Sequence, residues 1–436
     1  MSSSLPSYEE AAAQVAAYAG QLGRFRPSVE RVELGRTPGR VLARALGADR
    51  DQPPFARSTR DGFACRAIEA SAHVPLAIAG VTRAGEPPAA ELPPNSAWEI
   101  MTGAPVPPGA DAVVMLEHVE ITNGHAKLAP KRTVAVGENI VAQGAQARKG
   151  DELLATGVPI TAAQVALAAA CGHSVLEVFT RPRVAILTTG DEIVPVKSIP
   201  APGQIRNSNG PMLAAMVVAA GGEPWILPTA ADNARALDTA LAQAAEADLL
   251  LITGGVSAGK FDLVEPALIR AGASFQFTGV RIQPGKPLVF GEMPRSQNAA
   301  SNVSNKANDR SGARSPVVPR TLPFFGLPGN PVSSAVTFLL FAAPLLAALA
   351  GSLETGPRFA LAQLAPKSGN HEKAGLTRFL PAKFTFGTAG KLPEVALVPW
   401  QGSGDLAAMA HSNCFLVVPE EPGSLEHRGT VKVLLS

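Results

Sequence analysis

The chain has 436 residues, 46% of them hydrophobic, with 38 Lys and Arg against 36 Asp and Glu for a net charge of +2. That length exceeds a single core and suits three or four domains. The balanced charge, with no long basic run, argues against a general nucleic-acid or acidic-membrane surface. Cys65, Cys171 and Cys414 lie far apart and form no Cys/His cluster, so they suggest neither a zinc site nor a redox pair and fit a reducing cytoplasm.

The start, "MSSSLPSYEE", has neither the basic nor the apolar region of a secretory signal. "SYEEAAAQVAAYAGQLG" predicts a helix, with Ser7 and Glu10 at capping-box spacing. A second helix is expected over "GRVLARALGAD", ending near Asp51. From "PPFARSTRDGFACR" to about Gln143 the pattern changes to short strands and turns, a β-rich domain over 51–143. "TAAQVALAAACG" returns to helix and is expected to join the N-terminal helices in a discontinuous linker domain, residues 1–50 and 144–180.

Strands and helices then alternate over 181–350, and the strands are continuously apolar. This is the pattern of a parallel sheet covered on both faces. Within it, Asp232 is the expected N-cap of "DNARALDTALAQAAEA". Residues 294–320, rich in Ser, Asn and Arg, are expected to form a disordered surface loop. From Thr321 to Leu353 there is no charged residue, and "AVTFLLFAAPLLAALAG" resembles a membrane span. Pro344 and Gly351 bracket its apolar part to fewer than the ~20 residues a span needs, so a buried helix is expected instead. Short strands return over 351–436 as a small C-terminal β-barrel or sandwich, with a barrel favoured. The expected fold class is therefore α/β multidomain: a three-layer α/β/α domain, a β-rich domain, a helical linker and a C-terminal barrel.

In an open parallel sheet, ligands bind outside the carboxyl ends of the strands. Four polar junctions fall there: "LTTGDEIV", "ITGGVSAGKFD", "IQPGKP" and "GLPGNPVSS". Glycine lets backbone N–H groups approach a phosphate, and a helix N-terminus adds partial positive charge. The candidates for holding an anion are Thr189, Gly190, Gly254, Gly255, Ser257, Gly259, Lys286, Pro328, Gly329, Asn330, Pro331 and Ser333, with Ser334 beside them. Lys260, in the same glycine loop, reads equally well as a solvated side chain. Asp191, Glu192 and Asp262 would repel a phosphate unless a divalent cation lay between. Glycine donors with carboxylates nearby thus read as a Mg²⁺–phosphoester site, with Glu192 and Asp262 as the metal carboxylates. The seven histidines have no ligand spacing.

"STRDGFA", "MTGAPVPPGADAVVMLE", "TTGDEIV", "TGGVSAGKFD", "QPGKP", "GLPGNPVS" and "QGSGDL" occur in this order. With them the chain resembles the molybdopterin molybdotransferase family, which includes bacterial MoeA proteins and the E domain of gephyrin. The resemblance covers the whole chain except residues 294–320. It implies a homodimer of four-domain subunits whose cleft is completed by the partner's β-rich domain. It also implies a reaction: adenylylated molybdopterin and molybdate are taken up, the adenylate is hydrolysed with Mg²⁺, molybdenum enters the dithiolene and AMP leaves. Asp61 and Thr102 would enter the cleft from the partner subunit, Glu192 and Asp262 would be the core acids, and Lys286 with "LPGNPVSS" would bind the anion. Ser403 would lie on the C-terminal domain's side. A molybdopterin adenylyltransferase and molybdoenzyme chaperones are the implied protein partners.

Four positions depart from the family pattern. Gln283 and Gly279 stand where lysines are usual, with Arg281 between them as a substitute charge. Arg60 replaces a frequent Met, and Ala231 interrupts a common Asp–Asp pair. Loss of the two lysines would suit a weakened carrier or scaffold. A molybdopterin adenylyltransferase, the other alternative, would not need the added N-terminal and C-terminal domains.

Overall fold

The apolar runs Arg183–Thr188 and Leu249–Thr253 become adjacent strands at the centre of a six-stranded sheet. Having no polar face, each is buried on both sides. Val184, Ile186, Leu249 and Leu251 enter one core, and Ala185, Leu187, Leu250 and Ile252 enter the other, the alternation a strand imposes. In the computed structural model the described residues are 5–22, 27–87, 89–255, 263–295, 320–365, 375–387, 392–420 and 429–436. Ser257, Gly259, Lys260, Asp262 and residues 296–319 of the expected loop lie outside them.

The sheet runs Glu223–Ile226, Arg183–Thr188, Leu249–Thr253, Thr321–Leu327, Val289–Pro294, Ser274–Thr278. Its first four strands are parallel. The last two pair antiparallel, so a hairpin forms the edge of a sheet expected to be parallel throughout. Helices Asn209–Ala219 and Pro331–Thr337 cover one face, and helices Ala234–Ala244 and Val264–Arg270 the other. The result is three layers.

The uncharged segment is a core element, with Val332, Val336, Phe338, Phe341, Leu345 and Leu346 inside the first core. Among the described residues, Pro331–Leu349 is the one helix long and apolar enough to cross a membrane. It passes through a π turn at Phe338–Ala342. Pro344 follows directly, and a proline can neither donate to nor clear the carbonyl four residues back, so the helix widens there. The N-terminal helix, Tyr8–Leu22, starts with the expected box: Ser7 N donates to Glu10 Oε2 (2.7 Å), and Glu10 N to Ser7 Oγ (3.1 Å). It buries Ala11, Val15, Tyr18 and Leu22 in the same first core.

Strands Phe359–Leu364, Thr377–Thr385, Glu394–Leu397, Cys414–Val418 and Thr430–Leu435 close into a five-stranded barrel, because Thr377–Thr385 pairs with both neighbours. Ile282–Gln283 adds to it, Gln283 lying in register with Arg378.

The chain divides into two units, Met1–Ala43 with Gly157–Thr161 and Leu176–Ser436, and Arg44–Thr156 with Ala162–Val175. Residues 1–43 and 162–175, expected together in one linker, fall in different units. The second unit holds a curled six-stranded sheet around Phe63, Cys65, Leu76 and Val114. The helix expected over residues 39–49 does not form. Val41 and Leu42 bridge to Pro159 and Val178, and Leu46–Gly47 pairs with Glu152–Leu154.

Candidate active site at the strand ends

Three neighbouring parallel strands end side by side, at Thr189–Gly190, Gly254–Gly255 and Pro328–Asn330. Thr189 N donates to Thr253 O at 3.1 Å. Gly254 has φ +92°, and a Cβ there would meet Thr189 O at 2.5 Å, so only glycine lets these two ends touch. A Cβ on Gly329 would lie 3.6 Å from the Gly254 Cα, which places the third loop against the second. At Gly190 a Cβ would meet Glu192 Oε2 at 2.6 Å: the carboxylate folds back over the first loop.

The segment Asn207–Ser208–Asn209 stitches these ends together, and the sequence reading missed it. Asn207 Nδ2 donates to Thr188 Oγ1 (3.1 Å), and its Oδ1 accepts from Gly210 N (2.8 Å). Asn209 Nδ2 donates to Thr253 Oγ1 (2.8 Å) and to Gly329 O (2.7 Å). Two amides ahead of an apolar helix were the only local sign. Ser334, expected to donate to an anion, is fully buried and donates to Pro328 O instead. Ser333 is buried as well.

Ser403 does reach the strand ends. Its Oγ accepts from Asn330 Nδ2 at 2.8 Å, and its carbonyl accepts from Val332 N at 3.1 Å. Asp405 fixes that loop by accepting from Gln401 N and Ala408 N, bonds that hold its carboxyl below the usual range. Lys286 is exposed, and Gly285 beside it lies against Thr337 of the helix that starts at Pro331. Arg281, expected as a substitute charge, is ion-paired: its Nε lies 3.3 Å from Glu420 Oε1.

The acids cluster beside Gly190. Asp191 Oδ1 accepts from Asp232 N at 3.0 Å. Asp232 is not the expected cap, because Asn233 Oδ1 takes that place by accepting from Ala236 N at 2.9 Å. Desolvation, then the neighbouring charges of Asp191 and Glu192, raise the Asp232 carboxyl above its ordinary range. Among the described residues no three His, Cys, Asp or Glu side chains form a ligand cage. Mg²⁺ needs none, since it keeps several waters and takes one or two carboxylates with phosphate oxygens.

In the second unit, Asp61 and Thr102 meet. Asp61 Oδ1 accepts from Thr102 N at 2.6 Å, and the Thr102 amide and hydroxyl hold the carboxyl below its ordinary value. Both side chains are exposed.

The matching family models are the MoeA N-terminal region (domain I and II) over residues 6–172, a probable molybdopterin binding domain over 185–348, and the MoeA C-terminal region (domain IV) over 367–435. The molybdopterin molybdenumtransferase of Bacillus subtilis is 34% identical over 93% of this chain and 89% of its own. That of Haemophilus influenzae is 31% identical over 94% of each. Among solved structures, a molybdopterin biosynthesis MoeA protein of Pyrococcus horikoshii OT3 superposes with TM-score 0.76 at 25% identity, covering 99% of this chain and 100% of that one. A chain fitted to this degree from end to end, in sequence and in fold, belongs to the MoeA family of molybdopterin molybdenumtransferases.

Proposed function

We propose that this transferase hydrolyses adenylylated molybdopterin, inserts molybdenum from molybdate into the freed dithiolene and releases AMP. The observation that carries this reading is the pairing of glycine-lined strand ends with acids beside one of them: Gly190 lies against Glu192, next to Asp191 and Asp232, and Gly254 and Gly329 line the two neighbouring strand ends. Backbone N–H groups there can hold phosphate oxygens, and the acids can hold a hydrated cation against them. Bound Mg²⁺ would neutralise charge on the phosphoanhydride. The chain's own residues position that group and exclude competing geometries, which is most of what such a cleavage requires. Asp262 falls in the same loop by sequence and would share the metal with Glu192.

Asp61 and Thr102 would complete the cleft of a second copy. A groove of about 680 Å³ in the first unit, lined by Met212, Met216, Phe338, Leu339 and Leu434 among others, offers apolar surface for a second copy to cover. Soluble action in the cytoplasm follows from the same reading, and the adenylyltransferase that makes the substrate would be its neighbour. One observation favours the carrier alternative, namely that Arg281 is ion-paired with Glu420 and so is not free to supply the charge of the missing lysines.

One experiment tests the set. Protein is incubated with adenylylated molybdopterin, molybdate and Mg²⁺, and AMP and finished cofactor are followed. Glu192→Gln and Asp61→Asn are each expected to lose AMP release by a hundredfold or more, on the order of one lost catalytic group. Co-expressed, the two variants should recover about a quarter of wild-type turnover if each cleft draws on both chains. Tight adenylate binding with no AMP from the wild type would leave a carrier. No recovery on co-expression would confine the cleft to one subunit.

A further inference from the structure

Asn209 opens the helix Asn209–Ala219 and is only 8% exposed. Its two donor contacts fix how the amide is turned. The Gly329 carbonyl can only accept, so the nitrogen faces it and the oxygen points elsewhere. That oxygen, Oδ1, is buried and has no donor among the described residues. One strand away, Thr189 Oγ1 is 2% exposed and also lacks a partner among the described residues. The neighbouring Thr188, Thr253 and Ser334 hydroxyls are all bonded.

A buried carbonyl oxygen left without a donor carries its full desolvation cost until a ligand supplies one. The anions expected at this site cannot do so. Phosphate and molybdate oxygens are acceptors, and Oδ1 would repel them. The ring amide and amino group of a pterin are N–H donors on the same molecule whose phosphate the glycines would hold. We propose that Asn209 Oδ1 accepts a hydrogen bond from the N–H edge of the bound pterin, while Nδ2 keeps the Thr253 and Gly329 loops at the spacing that the phosphate requires. This rests on the molybdopterin reading above and adds to it the residue that recognises the heterocycle.

The test compares two affinities in each of four proteins: wild type, Asn209→Asp, Asn209→Leu and Thr253→Val. Each is titrated at neutral pH with molybdopterin and with inorganic pyrophosphate, with Mg²⁺ and again with EDTA. Leu removes both ends of the amide, whereas Asp keeps an acceptor and loses the donor. The negative charge added by Asp weakens both anionic ligands, so the ratio of the two affinities is the readout. That ratio is expected to fall about tenfold in Asn209→Leu, one hydrogen bond's worth. It should stay within about twofold of wild type in Asn209→Asp, which retains the oxygen.

A purely structural Asn209 would lower both affinities together and leave the ratio unmoved, which overturns the proposal. An equal fall of the ratio in Asp and Leu does the same. A fall that disappears in EDTA assigns the donor to a cation-bound water and overturns the pterin contact. Thr253→Val removes the hydroxyl that accepts from Asn209 Nδ2 and bonds Pro328 O and Ser334 Oγ but leaves Oδ1 in place, so its ratio must hold even if the Asn209 variants fold poorly; a fall there moves the discrimination to the tether. A wild type that binds pyrophosphate and not molybdopterin removes the functional reading itself, an outcome separate from all of these.

Discussion

Asp232 shows how a single position can be legible in the wrong way. Asp at the head of a helical pattern is a good cap, but Asn233 caps this helix, and the Asp232 carboxylate faces two others. A carboxyl raised in the folded state makes the charged form unfavourable there. Its penalty is present above the folded pKa and is relieved as pH falls through it. Asp232→Asn should therefore melt higher than wild type near pH 7, with the gain shrinking toward the ordinary carboxylate range near ~4. Calorimetry across pH checks this, and added Mg²⁺ should narrow the gap at neutral pH if a cation binds among these acids. Asn233→Ala should instead cost about 1 kcal/mol at any pH, the loss of a cap, measured by chemical denaturation. Gly279 is a different kind of departure. Its φ of +134° and a Cβ position 2.8 Å from Leu5 Cδ2 leave no place for the lysine that the family pattern would put there without moving the backbone.

At the level of elements, continuity of apolar residues was a sound guide and isolated spacing was not. Val184–Leu187 and Leu249–Ile252 read as two-sided strands because every residue in them is apolar, and both are buried throughout. "GRVLARALGAD" was expected to be a helix, and its Leu42 and Leu46 are indeed core residues. Both are buried, at 1% and 2% exposure, but as partners of strand-like segments more than a hundred residues away in sequence. Distant pairing overrode local propensity. The same limit hid the asparagine clamp. Its bonds join Asn209 to Thr253 and Gly329, 44 and 120 residues apart, and leave no periodic trace in the sequence. Asp61 and Thr102 are 41 apart, and only their motifs marked them.

For the molecule as a whole, the three-layer domain, the β-rich domain and the C-terminal β domain were visible as changes of rhythm along the chain, while the curl of the first sheet and the closure of the second were not. The antiparallel edge was not, because a strand's direction does not show in its composition. That edge has a consequence for how the chain can be altered. Pro294 pairs with Thr321, and Arg295 N donates to Arg320 O at 3.0 Å, so two strands meet in register on either side of residues 296–319. The junction is held by its flanks, Pro294 with Thr321 and Arg295 with Arg320. Replacing 296–319 with Asn-Gly, a dipeptide that favours tight antiparallel reversals, should leave the melting temperature within a few degrees of wild type. A guest domain with adjacent ends should be accommodated at the same point, giving a place to attach a reporter to the enzyme while the strand ends at the opposite side of the hairpin keep their register.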